Sequence, residues 1–391
     1  MRPIPVYVLA AALAVVATSC APAADTGLER TFVQMLGADT ISIERFTVTG
    51  DRIEGTWIVR TPLTRVHSYT AELDGEGGIR RLTGTLSTPA TNAGAGSARS
   101  YEYTARGDSA DVVVVTGSDT TRSAISLPPG ATPIPPNIPA PPSILELVTK
   151  RLADADELPL SFINPLASRP TGSGLVRRGG DTVAVLYFGN PILVVRSADG
   201  VLERVTGRET TVKLESDAAS TALDLEALAA DFGARDAAGE GLGVPSPADT
   251  TRAAVAGSEL EVAYSQPAMR GREIWGALVP YDVTWRTGAN SATMFWTTAD
   301  VQIGGATIPA GEYTLWSTYT SDSAELIINS QTGQWGTVYD EAQDFVRVPM
   351  EWETSAEPFE RFTIGIEGDE SGGRMTFSWA DRTYFVPMAS G

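Results

Sequence analysis

The chain has 391 residues, 42% of them apolar and 20% charged, which suits two packed domains and excludes a disordered class. Its formal net charge of −19, from 48 acids against 29 bases, excludes the basic footprint that nucleic acid needs and disfavours charge-driven docking on anionic lipid. One Cys and one His exclude an internal disulfide and a Cys/His zinc site, and a nucleophile–imidazole pair would have to use His67.

Residues 1–20 read as a targeting segment. Arg2 precedes a short apolar run, Val6 to Val16, that is too short to span a bilayer, which takes ~20 apolar residues. The run ends in Ala17-Thr18-Ser19-Cys20, which resembles a bacterial lipobox, with Ala17 where Leu is commonest. The resemblance implies cleavage before Cys20 and a membrane anchor through lipid on that residue. Ala21, not Asp, follows, which implies the outer membrane. An ordinary signal peptide is the alternative.

Residues 21–30 read as a tether. From Thr31 the pattern takes period two: Asp39 to Val48, Arg52 to Arg60 and His67 to Leu73 alternate apolar and polar residues between Gly and Asp turns. This predicts a meander of antiparallel strands. Pro128 to Pro142 holds eight Pro in fifteen residues and reads as a stiff extended passage. Ser143 and Glu146 then have the spacing of a capping box, and Ile144, Leu147, Val148 and Leu152 form an apolar stripe, which predicts a helix near 143–157. Strands resume to Leu214, and a second amphipathic helix is expected near 223–237.

Two similar Asp-Gly hairpins, Ala71 to Gly84 and Ala198 to Gly207, flank the Pro-rich passage. They suggest one N-terminal domain over 31–240, a curved antiparallel sheet covered by one or two helices. That shape is like periplasmic carriers of lipid or acyl chains, in architecture only; a scaffold with a filled concave face is the plainer reading. Residues 241–257, rich in Gly, Pro and Ala, read as a linker.

Residues 258–391 carry many short strand signals and no helical period, which predicts a C-terminal antiparallel β-sandwich. Seven of the eight Trp lie here. Those inside alternating strands read as core, whereas Trp275, Trp285 and Trp335 adjoin Gly-containing turns and could stack on a flat ligand. Arg286, before the turn Thr287-Gly288-Ala289-Asn290, can present a planar fork to a carboxylate or phosphate, or make an internal salt bridge or a stack on Trp285. The candidate ligand-binding residues are therefore Trp285, Arg286, Asn290 and Trp335. Tyr339, Asp340, Glu341 and Asp344 supply acids, but hydrolysis needs two held across a cleft, and adjacency in sequence does not provide that. The Gly-rich turns Gly75-Glu76-Gly77-Gly78 and Gly368 to Gly373 lack the spacing of a calcium loop. No cofactor or metal motif is found.

Six spaced motifs, in order, carry a resemblance: Tyr264-Ser265-Gln266-Pro267, Gly271-Arg272-Glu273-Ile274-Trp275-Gly276, Leu278-Val279-Pro280-Tyr281, Trp285 to Asn290, Ile308-Pro309-Ala310-Gly311-Glu312-Tyr313 and Thr332-Gly333-Gln334-Trp335-Gly336. Together they resemble the bacterial family called domain of unknown function 2911, over about 262–388. The resemblance implies an exported bacterial protein with an all-β domain, and no activity. The sequence thus points to a lipid-anchored envelope protein with a non-enzymatic binding or scaffolding role, its ligand a carbohydrate or small polar molecule. A glycan hydrolase using acids near Asp340 and a lipid carrier through the N-terminal sheet are the alternatives.

Overall fold

Two strand meanders joined edge to edge build the N-terminal half. The computed structural model describes residues 27–95, 98–137, 139–152, 155–167, 170–187 and 189–391, so the targeting segment and Cys20 lie outside the described residues. The first meander runs β1 (Leu28–Leu36), β2 (Asp39–Thr49), β3 (Arg52–Val59), β4 (Arg65–Leu73), β5 (Ile79–Ser87), β6 (Arg99–Arg106), β7 (Ser109–Thr116) and β8 (Asp119–Ser126). After the short β9 (Ala131–Pro133), the second runs β10 (Glu157–Ile163), β11 (Thr171–Gly179), β12 (Thr182–Tyr187), β13 (Asn190–Arg196), β14 (Leu202–Thr206) and β15 (Leu214–Ala218). β1 pairs with β15, giving one sheet of order β8-β7-β6-β5-β4-β3-β2-β1-β15-β14-β13-β12-β11-β10-β9.

The sheet is mixed rather than wholly antiparallel, because β9 lies parallel to β10. β9 falls inside the Pro-rich passage. Its Pro133 is tolerated because β9 is the last strand of the sheet, where a missing N–H breaks no second ladder.

Period-two alternation sorts the strand residues onto two faces. Phe32, Phe46, Trp57, Tyr69, Leu82 and Tyr103 turn inward and pack around helix α1 (Pro142–Lys150). Every residue of α1 from Pro142 to Thr149 is buried, so the helix is enclosed rather than laid on a surface. Helix α2 (Leu225–Ala237), capped by the Asp224 side chain, covers Ile43 and Ile58 on the opposite face with Leu225, Ala229 and Phe232.

α1 is shorter than its sequence pattern suggests, and the capping box is not formed. Pro141 is the N-cap, and Ser143 instead gives its hydroxyl and N–H to the buried Glu44 carboxylate at 2.7 and 2.9 Å. Glu146 reaches across the interior to Arg30, to Lys150 at 2.7 Å and to the Leu202 N–H at 2.9 Å. Long-range partners outcompeted the local cap, because each enclosed carboxylate needs several donors and finds them only where helix and sheet meet. The two Asp-Gly hairpins both reach the end of α1. Gly200 sits 3.6 Å (from an ideal Cβ) from the Lys150 stem and Gly77 3.1 Å from that of Arg151.

The C-terminal half comprises β16 (Ala248–Val255), β17 (Ser258–Ser265), β18 (Thr293–Thr297), β19 (Val301–Ile303), β20 (Ala306–Ile308), β21 (Gly311–Tyr319), β22 (Ala324–Asn329), β23 (Asp344–Asp369) and β24 (Gly372–Ser390). All nine strands hydrogen-bond in one antiparallel sheet, β16-β17-β18-β21-β22-β23-β24-β19-β20, rather than in two separate ones. The long β23 and β24 carry the sheet over a main core that holds Phe295, Leu315, Ile328, Phe362, Phe377 and Trp379, while Ala292, Trp316 and Ile327 form a small separate cluster. β16 occupies much of the segment that reads as a linker. Its alternately exposed Ala and Thr residues lie at the sheet edge and give little apolar signal. Gly304 and Gly305 turn β19 into β20 with φ of 58° and 84°, and a Cβ on Gly304 would lie 2.8 Å from Val348.

Candidate functional site at the domain junction

The stretch Arg270 to Asn290 has little regular structure and runs along the boundary with the N-terminal half. Arg270, at φ 51°, accepts a hydrogen bond from the Ala38 N–H at 2.8 Å and pairs its guanidinium with Asp39. Arg272 donates to the Val212 carbonyl at 3.1 Å and to the Ala268 and Met269 carbonyls of its own turn. Burial lowers its pKa first, and the Arg270 charge adds to this. Gly37 makes the approach possible, since a Cβ there would meet the Arg270 carbonyl oxygen at 2.2 Å. Arg270 and two arginines of the family motifs, Arg272 and Arg286, thus face the N-terminal half.

Arg286 is the third. Its Nη2 donates to Thr211 Oγ1 at 3.3 Å, the one hydrogen bond of its guanidinium among the described residues. Its Nε is buried without a partner, and no carboxylate among the described residues lies in ion-pair range. Burial alone lowers its pKa. The side-chain stem lies on Gly336, where a Cβ would meet Arg286 Cδ at 2.1 Å.

The turn that follows Arg286 ends at Asn290 and is tied to a second turn that carries Trp335. The Gly336 N–H donates to the Asn290 carbonyl at 2.9 Å, and Ser291 bridges to Trp335. Asn290, at φ 61°, directs its amide to Ser265 Oγ at 3.2 Å and the Ser246 carbonyl at 3.3 Å. Trp335 is 52% exposed. The structure therefore brings Arg286, Asn290 and Trp335 together. Trp285 is separate: its ring is half-buried against Trp379 at 5.8 Å and Phe362 at 5.1 Å, as part of the core. Thr211, from the other half of the chain, joins the group. Its threonine in a polar turn carries no signal that sequence reading could have used.

The acids near Asp340 are engaged in local structure. Asp340 caps a short turn through the Ala342 N–H at 3.0 Å. Asp344 accepts from Tyr339, Asn329 and Arg347, and Glu341 pairs with Arg347 at 3.0 Å. Asp74 likewise accepts from Glu76 and Gly78 N–H groups inside its own turn, at 2.8 Å each. His67 is buried against Trp57 at 5.2 Å, and its Nδ1 has no partner. Among the described residues no helix is long and apolar enough to cross a membrane.

A nine-stranded antiparallel domain with these motifs has a family counterpart. Residues 246–388 match the family described as "Protein of unknown function (DUF2911)". The C-terminal domain is a DUF2911 domain. No curated protein matches the chain. A crystal structure of a DUF1089 family protein from Pseudomonas aeruginosa is similar over 42% of this chain and 88% of its own, at 16% identity and a TM-score of 0.31.

Proposed function

We propose that this is an exported, lipid-anchored envelope protein whose two mainly β domains hold a small anionic or polar ligand, such as an acidic sugar, at their junction, without catalysis. Its nine-stranded domain, bent over its main core, is read as sandwich-like. The observation that carries the ligand is Arg286. A half-buried guanidinium whose Nε is buried without a partner, with one long hydrogen bond and no counter-ion among the described residues, leaves donors that an external anion satisfies with bidentate geometry. Trp335 supplies an exposed ring beside it.

The alternatives gain no such support. The acids around Asp340 are tied to Tyr339, Asn329 and Arg347. α1 fills the inside of the N-terminal sheet, where an acyl chain would lie. Anchoring at Cys20 rests on the lipobox-like ending of the targeting segment, and Cys20→Ser should move the protein from the membrane to the soluble fraction.

Thermal unfolding with glucuronate, sulfate and glucose tests the site. Glucuronate or sulfate should raise Tm by a few degrees at 100 times Kd, since binding to the native state alone adds ~2.7 kcal/mol there. Arg286→Met should abolish the shift. No shift with any of the three would sink the reading.

A further inference from the structure

The long hairpin of β23 and β24 breaks its register beside an unpaired arginine. Trp352 pairs with Tyr384 and Thr354 with Arg382, but the next pair is Phe359 with Ala380. Ser355 to Pro358 therefore bulge out of β23, and Ala380 in the facing strand takes φ 49°, which a Cβ disfavours. Directly paired residues share a face, so Trp352, Tyr384, Thr354 and Arg382 lie on one side of the hairpin. Bulges and strained residues of this kind re-aim side chains and cluster at binding sites.

Arg382 is the side chain so aimed. Its Cζ stands 4.8 Å from the Trp352 ring centroid, and its Nη1 donates to the Tyr384 hydroxyl at 2.9 Å. Tyr384 is 1% exposed and packs on Trp275 at 5.0 Å and Tyr319 at 4.8 Å, which makes it a fixed anchor. Nε and Nη2 form the edge that takes a carboxylate through two parallel hydrogen bonds. They donate to no described residue, and neither is buried. No carboxylate among the described residues lies in ion-pair range of Arg382. Burial is outweighed by the Tyr384 hydrogen bond and by Tyr384, Tyr281 and Asp381 nearby, which raise its pKa. Arg374 on the same hairpin shows the contrast: it stands over Phe385 at 5.4 Å, but Glu353 and Glu367 neutralise it. Trp352 is 41% exposed beside the free edge of Arg382.

We propose that Arg382 and Trp352 form a second binding site, which takes a small monocarboxylate carrying a flat apolar ring. The carboxylate meets the Nε–Nη2 edge side-on, and the ring lies on the exposed part of Trp352. One guanidinium with Asp381 close by balances a single negative charge better than the near-double charge of a phosphate ester. The site shares no residue with the Arg286 turn and does not depend on it.

Titration of the full exported chain with phenylacetate, indole-3-acetate, acetate and phenylacetamide, followed by the indole N–H signals in NMR, decides the matter. Trp352→Phe assigns the Trp352 signal. At least one ring-bearing acid should bind at least tenfold more tightly than acetate and the neutral amide, and should move that signal. Arg382→Met keeps a stem on Trp352 but removes the fork, and should weaken binding at least tenfold with an unchanged far-UV spectrum. Arg382→Lys keeps the charge without the side-on edge and should weaken binding as well. Arg286→Met should leave it unchanged. Absence of binding by both ring-bearing acids, equal binding of phenylacetate and its amide, movement of other indole signals alone, or full affinity in either Arg382 variant overturns the proposal.

Discussion

Glu44 and His67 lie two strands apart on the inward face, and the register runs Glu44–Trp57–His67. Burial pushes Glu44 up to about 7, against hydrogen bonds from Tyr69 and Ser143 and the charge of Arg30. Burial, with Arg65 nearby, pushes His67 down to about 4. The signs oppose. The raised Glu44 contributes stability that is complete below its ordinary 4.5 and is lost as pH rises through 7. The depressed His67 contributes stability that is present above its ordinary 6.5 and is lost as pH falls through 4. Wild-type stability should therefore be nearly flat between these limits. Glu44→Gln should unmask a rise with pH of ~3 kcal/mol, and His67→Gln a fall of similar size. Urea unfolding across this pH range reads both slopes, and parallel slopes in the two variants would refute the assignment. Gly55→Ala is a separate test, because its Cβ would lie 2.3 Å from the Tyr69 ring. A loss of ~1–3 kcal/mol is expected from overpacking, read as a lower urea midpoint with unchanged slope.

Among the elements, α1 shows how context overrides local pattern. Its Ser143 and Glu146 have capping-box spacing, yet each serves a partner on the sheet. Arg30 and Glu146 form a pair with side chains only 15% and 4% exposed. Arg30→Met leaves that carboxylate with Lys150 and one backbone donor, and should cost ~3 kcal/mol in a urea titration. A change below 0.5 kcal/mol would show that Lys150 suffices. The strands were the most legible elements. Alternation gave β2 to β4 nearly residue by residue, because one face of each is buried. β16 was missed because its half-buried face carries Asp, Thr and Ala and gives little apolar signal, and β9 because its prolines argue against a strand anywhere but at an edge.

The whole molecule is held at its waist by arginines from the DUF2911 domain. Arg270 on Asp39 is the buried contact, with the Ala38 N–H beside it. Asp39→Asn should loosen this docking and speed proteolytic cleavage in the segment between α2 and β16 several-fold, with each domain's own unfolding unchanged. Cleavage at the wild-type rate would place the docking energy elsewhere.

The sequence by itself determined the division into two mainly β halves and the DUF2911 motifs, because each is written in local periodicity or fixed spacing. It also marked Arg286, Asn290 and Trp335, which Gly-containing turns set apart from the core. Tertiary structure alone decided that Trp285 belongs to that core, that Thr211 faces Arg286, and that Glu44 lies beneath α1. Those outcomes depend on which residues distant in the chain compete for the same buried donor or the same space, and no local pattern records that competition.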